Sequence, residues 1–193
     1  MRVAILGGTG KFGTALARRL SEQGDDVVIG SRDPEKAQRV AAEVGVAGAV
    51  NDEAIAGADL VVLACDASAA LATARNLSDA IGTTPVLCVA SELAVKSVPS
   101  IAEQVAEVLD APVAAGLHTV SARTVGREQD ALVCGDDEDA KALALELAGR
   151  AVDGRAYDAG PLENARALEG LTGVLVAINK RYKAHAGIRL TGV

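Results

Sequence analysis

The stretch that most narrows the folds open to this chain is its first thirty residues. A short apolar run, Arg2 to Leu6, passes into Gly7-Gly8-Thr9-Gly10-Lys11-Phe12-Gly13, then into an amphipathic stretch, then into a second apolar run over 26–30. The turn contains G-x-G-x-x-G as Gly8, Gly10 and Gly13. The first glycine permits a tight turn, the second lets backbone approach a pyrophosphate, and the third lets helix and strand pack closely. Phe12, Leu16 and Leu20 recur every four residues, so one stripe of the intervening helix faces the sheet. Amide groups and the dipole at that helix's N-terminus suit a diphosphate. Alone the motif is weak; its place between a strand and the helix of a βαβ unit gives it weight.

The end of the second run decides which dinucleotide. A site for NAD places Asp or Glu about 20 residues past the glycines to accept from the ribose 2′-hydroxyl. Here the chain has Gly30-Ser31-Arg32, with Lys36 one turn further on. A hydroxyl, a guanidinium and an ammonium bind a 2′-phosphate, which a carboxylate would repel. Asp33 sits at the right count to be the ribose acid, but its place before Pro34 favours helix capping. The expectation is NADP(H).

Further along, β-branched runs over 47–50, 59–64, 85–89 and 112–115 alternate with amphipathic stretches. Asn51 or Asp52 is expected to cap a short helix over 53–58. After 117 come a loop over 119–130, a strand at 132–134, a helix over 137–150, a strand at 155–158 and a long helix over 162–183. The fold class expected is α/β: a Rossmann-type doubly wound, mainly parallel sheet with a small C-terminal α/β extension ending in a long helix. The chain divides into a nucleotide-binding domain, 1–117, and a small C-terminal domain, 118–193, completing the second site. In the last helix Leu168, Leu171, Leu175, Ile178 and Tyr182 form one seam. Such a seam packs on the protein's own core or on a second copy; a homodimer is the expectation.

Composition excludes several roles. The chain has 193 residues and a formal charge of −7, with a pI of about 4.9, which argues against nucleic acid and anionic membrane surfaces. Apolar runs such as Leu60 to Cys65 fall far short of the roughly 18 residues of a membrane span. The first strand begins at residue 2, leaving no room for a signal peptide, so a cytoplasmic protein is expected. Cys65, Cys88 and Cys134 lie in apolar runs without ligand spacing; buried thiols and no metal site are expected. Phe12, Tyr157 and Tyr182 are all the aromatics, so a flat cofactor must rest on aliphatic groups, backbone or a second cofactor.

Blocks along nearly the whole chain point to one family. They are Arg2 to Gly13, Gly30-Ser31-Arg32 with Lys36, Leu117-His118-Thr119, Val133-Cys134-Gly135-Asp136-Asp137, Asp158-Ala159-Gly160-Pro161-Leu162, Asn179-Lys180-Arg181-Tyr182-Lys183 and Gly187-Ile188-Arg189-Leu190. In these the sequence resembles the NADPH-dependent coenzyme F420 reductases, also called F420H2:NADP oxidoreductases. The resemblance implies NADP(H) along the strand ends, with an 8-hydroxy-5-deazaflavin stacked on the nicotinamide and hydride passing between nicotinamide C4 and deazaflavin C5. Carried over by position, the cofactor-binding residues are Gly8, Thr9, Gly10, Lys11, Phe12, Gly13, Ser31, Arg32, Lys36, Ala64, Cys65 and Thr119, and the catalytic candidate is His118. Two departures lie on the active-site side of the sheet. Relatives often carry proline beside a bulky aromatic after the fourth strand, where this chain has Ala64-Cys65-Asp66-Ala67-Ser68, and the connection over 91–100 is shorter.

Hydride transfer between two rings asks a protein for alignment and dryness, so the lack of a triad or paired carboxylates is expected. His118 is placed to bond a ring carbonyl or manage the accompanying proton, or else to tie down its loop; both readings stand. His185 is expected to be solvated. Lys180, Arg181, Lys183 and Arg189 occur with no acid over 180–193, and suit an anionic ligand or the C-terminal dipole of the long helix. Two alternatives stay open: an NADPH reductase of a small carbonyl or imine, with His118 or Asp66 as proton donor, and a non-catalytic NADP-binding regulatory module.

Overall fold

In the computed structural model, which describes residues 1–93 and 99–193, the alternating runs assemble into one eight-stranded sheet. Its strands are β1 (Arg2–Leu6), β2 (Asp26–Ser31), β3 (Ala47–Val50), β4 (Leu60–Leu63), β5 (Val86–Cys88), β6 (Val113–Gly116), β7 (Ala131–Gly135) and β8 (Ala156–Asp158). They lie in the order β3-β2-β1-β4-β5-β6-β7-β8. Only the β6 to β7 pairing is antiparallel. The doubly wound α/β architecture expected from the sequence is therefore present, and β7 and β8 extend the same sheet.

Helices cover both faces: α1 (Lys11–Glu22), α2 (Pro34–Val44), α3 (Asn51–Ile55), α4 (Ala67–Asn76), α5 (Ser78–Ile81), α6 (Ile101–Ala106), α7 (Glu138–Ala151) and α8 (Ala165–Tyr182). Alternation along each strand divides the core. Val3 and Ile5 join Leu16, Leu20, Ala41 and Leu147 on the side of α1, α2 and α7. Ala4 and Leu6 join residues of α3 to α6 and Leu168 of α8 on the other. Leu16 and Leu20 are wholly buried, each contributing roughly 1.5–3 kcal/mol by removal from water.

Side-chain caps fix where several helices begin. Asp33 Oδ1 accepts from the Lys36 N–H at 3.1 Å with Pro34 in the first turn, so the capping role read from the sequence is realised. Asp137 caps α7 in the same way through the Ala140 N–H at 2.8 Å. Ser100 and Glu103 form a capping box on α6.

Two expected boundaries differ. Neither Asn51 nor Asp52 caps the third helix, because β3 runs straight into it and Val50 occupies the cap position without a side-chain bond. Asn51 is already helical, and its side chain turns inward. The long terminal helix, expected from residue 162, opens instead as a 3-10 turn, Leu162–Asn164, after Pro161, and becomes α-helical only at α8. Its seam is buried at Leu168 and Leu175, but Tyr182 is 68% exposed, since α8 packs on β6 and α6 and then outruns the core. Of the connection over 91–100, residues 94–98 lie outside the described residues.

Among the described residues no helix is long and apolar enough to cross a membrane, and no group of three or more His, Cys, Asp or Glu could hold a metal ion. Cys88 and Cys134 are buried free thiols, and burial pushes both up to about 12.

Candidate cofactor and active site

The chain order reverses between β1 and β4, and the loops leaving the C-terminal ends of β1, β2, β4 and β6 converge there. The glycines of the first loop divide into two kinds. A Cβ on Gly13 would lie 2.6 Å from Gly8 Cα, and one on Gly8 would lie 2.7 Å from Ile5 O, so these two close the turn against its own backbone. Gly7 has φ +78, and its Cβ would stand 2.8 Å from Ala64 O, which brings the turn onto the end of β4. Gly10 faces open space: a Cβ there meets only Gly7 O, at 3.3 Å. Gly10 N–H donates to Gly7 O at 3.0 Å and the Thr14 hydroxyl to Gly8 O at 3.0 Å, which stiffens the turn. Gly10 supplies no side chain to cap α1, and no acid lies in its first turn. First-turn amides are thus left for a ligand with no acid in the turn itself, Asp66 being the carboxylate that lines the hollow beside it, beyond Cys65.

One hollow runs from this turn across the end of β2. Gly7, Thr9, Gly10, Ser31, Arg32, Lys36, Ala64 and Cys65 line it. Asp33 N–H donates to Ser31 Oγ at 3.2 Å, leaving the serine proton available. The Asp33 carboxylate is engaged by its own helix, and neither Arg32 nor Lys36 forms an ion pair among the described residues. Asn51 also lines this hollow, and its Oδ1 is buried with no partner. A buried acceptor left unpaired is costly, so this atom suits a hydrogen-bond donor on a ligand.

A second hollow shares Ala64, Cys65 and Asp66 with the first and continues to Phe12, Ser91, Leu117, His118, Ser121 and Thr172. The small side chains of Ala64 and Cys65 thus form a border common to both hollows. Leu117 holds φ +61, a left-handed conformation that costs of order 1–3 kcal/mol in a non-glycine residue, and His118 follows immediately. His118 is 6% exposed; its Nδ1 lies 3.0 Å from Ser91 Oγ, and its Nε2 has no partner among the described residues. Burial pushes the imidazole down to about 4, so the ring is neutral near pH 7 and carries no imidazolium proton to give. The Cys65 sulfur lies 3.8 Å from both Leu6 O and the Thr73 hydroxyl, and burial raises its pKa, which keeps it a thiol.

Behind the second hollow, Glu169 of α8 is wholly buried and holds the chain beside Ser91. Its carboxylate accepts from the Ile101 N–H at 2.7 Å and the Glu92 N–H at 3.3 Å, and pairs with Arg166 at 2.7 Å. Burial raises the Glu169 pKa against these three stabilising partners.

The profile of the family described as NADP oxidoreductase, coenzyme F420-dependent, matches residues 2–92. The F420-dependent NADP reductase of Methanothermobacter thermautotrophicus is 36% identical over all of this chain and 96% of its own. The chain belongs to this family. A crystal structure of a candidate F420-dependent NADP-reductase from Arthrobacter sp. FB24 is similar with a TM-score of 0.81, at 25% identity over 96% of each chain. An imine reductase from Pseudomonas sp. shares the fold, with a TM-score of 0.70 at 20% identity over 94% of this chain and 62% of that one.

As a member of the F420-dependent NADP oxidoreductases, the chain distributes its expected site residues unevenly. Thr9, Gly10, Ser31, Arg32, Lys36, Ala64 and Cys65 meet in the first hollow, and Phe12, Ala64, Cys65 and His118 in the second. Gly8 and Gly13 pack the turn from behind. Lys11 is exposed at the start of α1 and lines neither hollow; nor does Thr119, which is buried with its hydroxyl unpartnered. No motif singles out Ser91 or Thr172, and Asn51 stands out in the sequence only as a candidate helix cap. The C-terminal block proves to be a tether: Asp130 N–H donates to Ile188 O at 2.8 Å and Leu190 N–H to Asp130 Oδ2 at 2.7 Å. Backbone donors from Arg155 and Leu190 accordingly hold the Asp130 carboxyl below its usual range. Within the basic tail Arg189 pairs with Glu128, Lys180 and Arg181 lie in the last turn of α8, and the exposed His185 meets Arg123 at 3.2 Å.

Proposed function

We propose that this member of the family passes a hydride between NADP(H) and the deazaflavin coenzyme F420. The observation that carries the reading is the free cationic pair Arg32 and Lys36 beside a Ser31 hydroxyl with its proton to spare, while Asp33 is occupied as a helix cap. This set suits a 2′-phosphate, and the nearby Asp33 carboxylate is engaged through Oδ1 with its own helix. The backbone over Gly10, Thr9 and the first turn of α1 would hold the diphosphate, and Asn51 Oδ1 would accept from the adenosine. When bound, the nicotinamide supplies the hydride chemistry. The chain's part is to align and to exclude water: the two hollows meet at Ala64 and Cys65, where two flat rings would be brought together, and Leu117, Phe12 and Thr172 would shelter that place. Residues 118–193 complete the side that takes the second ring.

The same proposal includes a cytoplasmic homodimer. Val174, Val176 and Tyr182 of α8 are 54%, 50% and 68% exposed, large apolar side chains left uncovered around the second half of the helix that a second copy would cover. Sedimentation velocity at micromolar protein should show a dimer, and Val174→Glu with Val176→Glu a monomer; a monomeric wild type would remove this element.

The reaction is tested by mixing protein, NADPH and oxidised F420 and following the deazaflavin's visible absorbance. Bleaching with NADPH, and far slower bleaching with NADH, is expected. NADPH binding without bleaching would shift the reading to a small-carbonyl or imine reductase, or to a binding module.

A further inference from the structure

We propose that Thr172 and Ser91 fix the tautomer of His118, so that Nε2 is a hydrogen-bond acceptor for an N–H or O–H donor at the edge of a flat second substrate. Three contacts carry this. The Thr172 hydroxyl lies 2.7 Å from the carbonyl oxygen of His118. A carbonyl oxygen only accepts, so the single Thr172 proton is committed to it. Ser91 Oγ lies 3.2 Å from Thr172 Oγ1, which can now only accept, so the Ser91 proton goes to Thr172. Ser91 Oγ in turn lies 3.0 Å from His118 Nδ1, and with its own proton used it can only accept. The hydrogen of that bond therefore belongs to Nδ1.

The ring is neutral, so one proton on Nδ1 leaves a lone pair on Nε2. That atom is buried and has no partner among the described residues, and His118 lines the hollow that Ser91 and Thr172 also line. A donor arriving in this hollow satisfies Nε2; a ring carbonyl facing it would be repelled. His118 thus discriminates between edges of a heteroaromatic ring, choosing a lactam or imide N–H or a phenolic O–H over an acceptor. Thr172 and Ser91 act through it as positioning residues. With F420 as the second substrate the donor is a ring N–H or the 8-hydroxyl, and this last assignment rests on the reading given above.

The test separates the two claims. Protein labelled with 15N at histidine, carrying His185→Gln so that His118 alone reports, is studied without coenzymes by long-range 1H–15N correlation. The expected pattern is protonated Nδ1 with bare Nε2. Thr172→Val frees the Ser91 proton to point at Nδ1, and the pattern should invert to protonated Nε2, while Thr172→Ser keeps the original. Turnover should follow: KM for F420 rises about tenfold in Thr172→Val, the equivalent of one lost hydrogen bond, while NADPH affinity stays unchanged. A wild-type ring protonated at Nε2, or an unaltered spectrum in Thr172→Val, overturns the tautomer relay even if KM rises. The expected spectra together with no F420 turnover by the wild type would uphold the relay and retire F420 as its substrate.

Discussion

Arg32→Ala is expected to weaken NADPH binding by on the order of tenfold to a hundredfold and to leave NADH binding nearly unchanged. A hydrogen bond to a charged group contributes about 1.5–3 kcal/mol, and 1.4 kcal/mol is a factor of ten in affinity. Arg32 is exposed, forms no ion pair among the described residues and lines the hollow at the end of β2, so its loss should not disturb folding. Lys36→Ala should show the same selectivity with a smaller loss, because a flexible ammonium makes no bidentate contact. Both losses should shrink at high salt, as the attraction is partly between solvated charges. Calorimetric titration with the two nucleotides reads this directly. Equal weakening of NADPH and NADH would mean that Arg32 does not meet the 2′-phosphate.

Alanine at two glycines of one turn is expected to fail in two different ways. Gly13→Ala puts a methyl 2.6 Å from Gly8 Cα and 3.0 Å from Gly7 O, both backbone, so α1 must back away from the turn. Overpacking of this kind costs about 1–3 kcal/mol or more, and the variant should melt several degrees lower with cofactor binding lost as well. Gly10→Ala meets only Gly7 O at 3.3 Å and should melt near the wild type. Its methyl instead stands where a pyrophosphate needs the backbone, so NADPH affinity should fall by at least tenfold. Thermal melts with and without NADPH separate the outcomes. A Gly10→Ala protein that binds NADPH normally would show that the diphosphate lies elsewhere.

The parts of the fold legible beforehand were those where a local signal and the tertiary demand agree. The run from Arg2 to Leu6 is apolar at every position but the first, because β1 is central and buried on both faces, and the glycine turn can only be read one way there. Asp33 before Pro34 announces its own cap. The alanine-rich α4 and the four-residue α5 carry little amphipathic pattern and gave no comparable signal, though the Ser100 to Glu103 box ahead of α6 was available as one. The sequence marks Asn51 or Asp52 as a helix cap; the inward turn of Asn51 depends on β3 meeting α3 without a loop. Ser91 and Thr172 are 81 residues apart, and only the packing of α8 on β6 and α6 brings them together at His118. No spacing rule reaches such a pair. Tyr182 continues the α8 periodicity past the point where the core stops, which a pattern within one helix cannot reveal.

The most direct measurement is the fate of deuterium carried at C4 of NADPH during F420 reduction. Direct transfer between aligned rings in a water-excluded site should leave the label on C5 of the reduced deazaflavin, delivered from only one of the two C4 faces, with none in the solvent. Label appearing in water, equal delivery from both faces, or no reduction at all would contradict the two adjoining hollows as a hydride-transfer site.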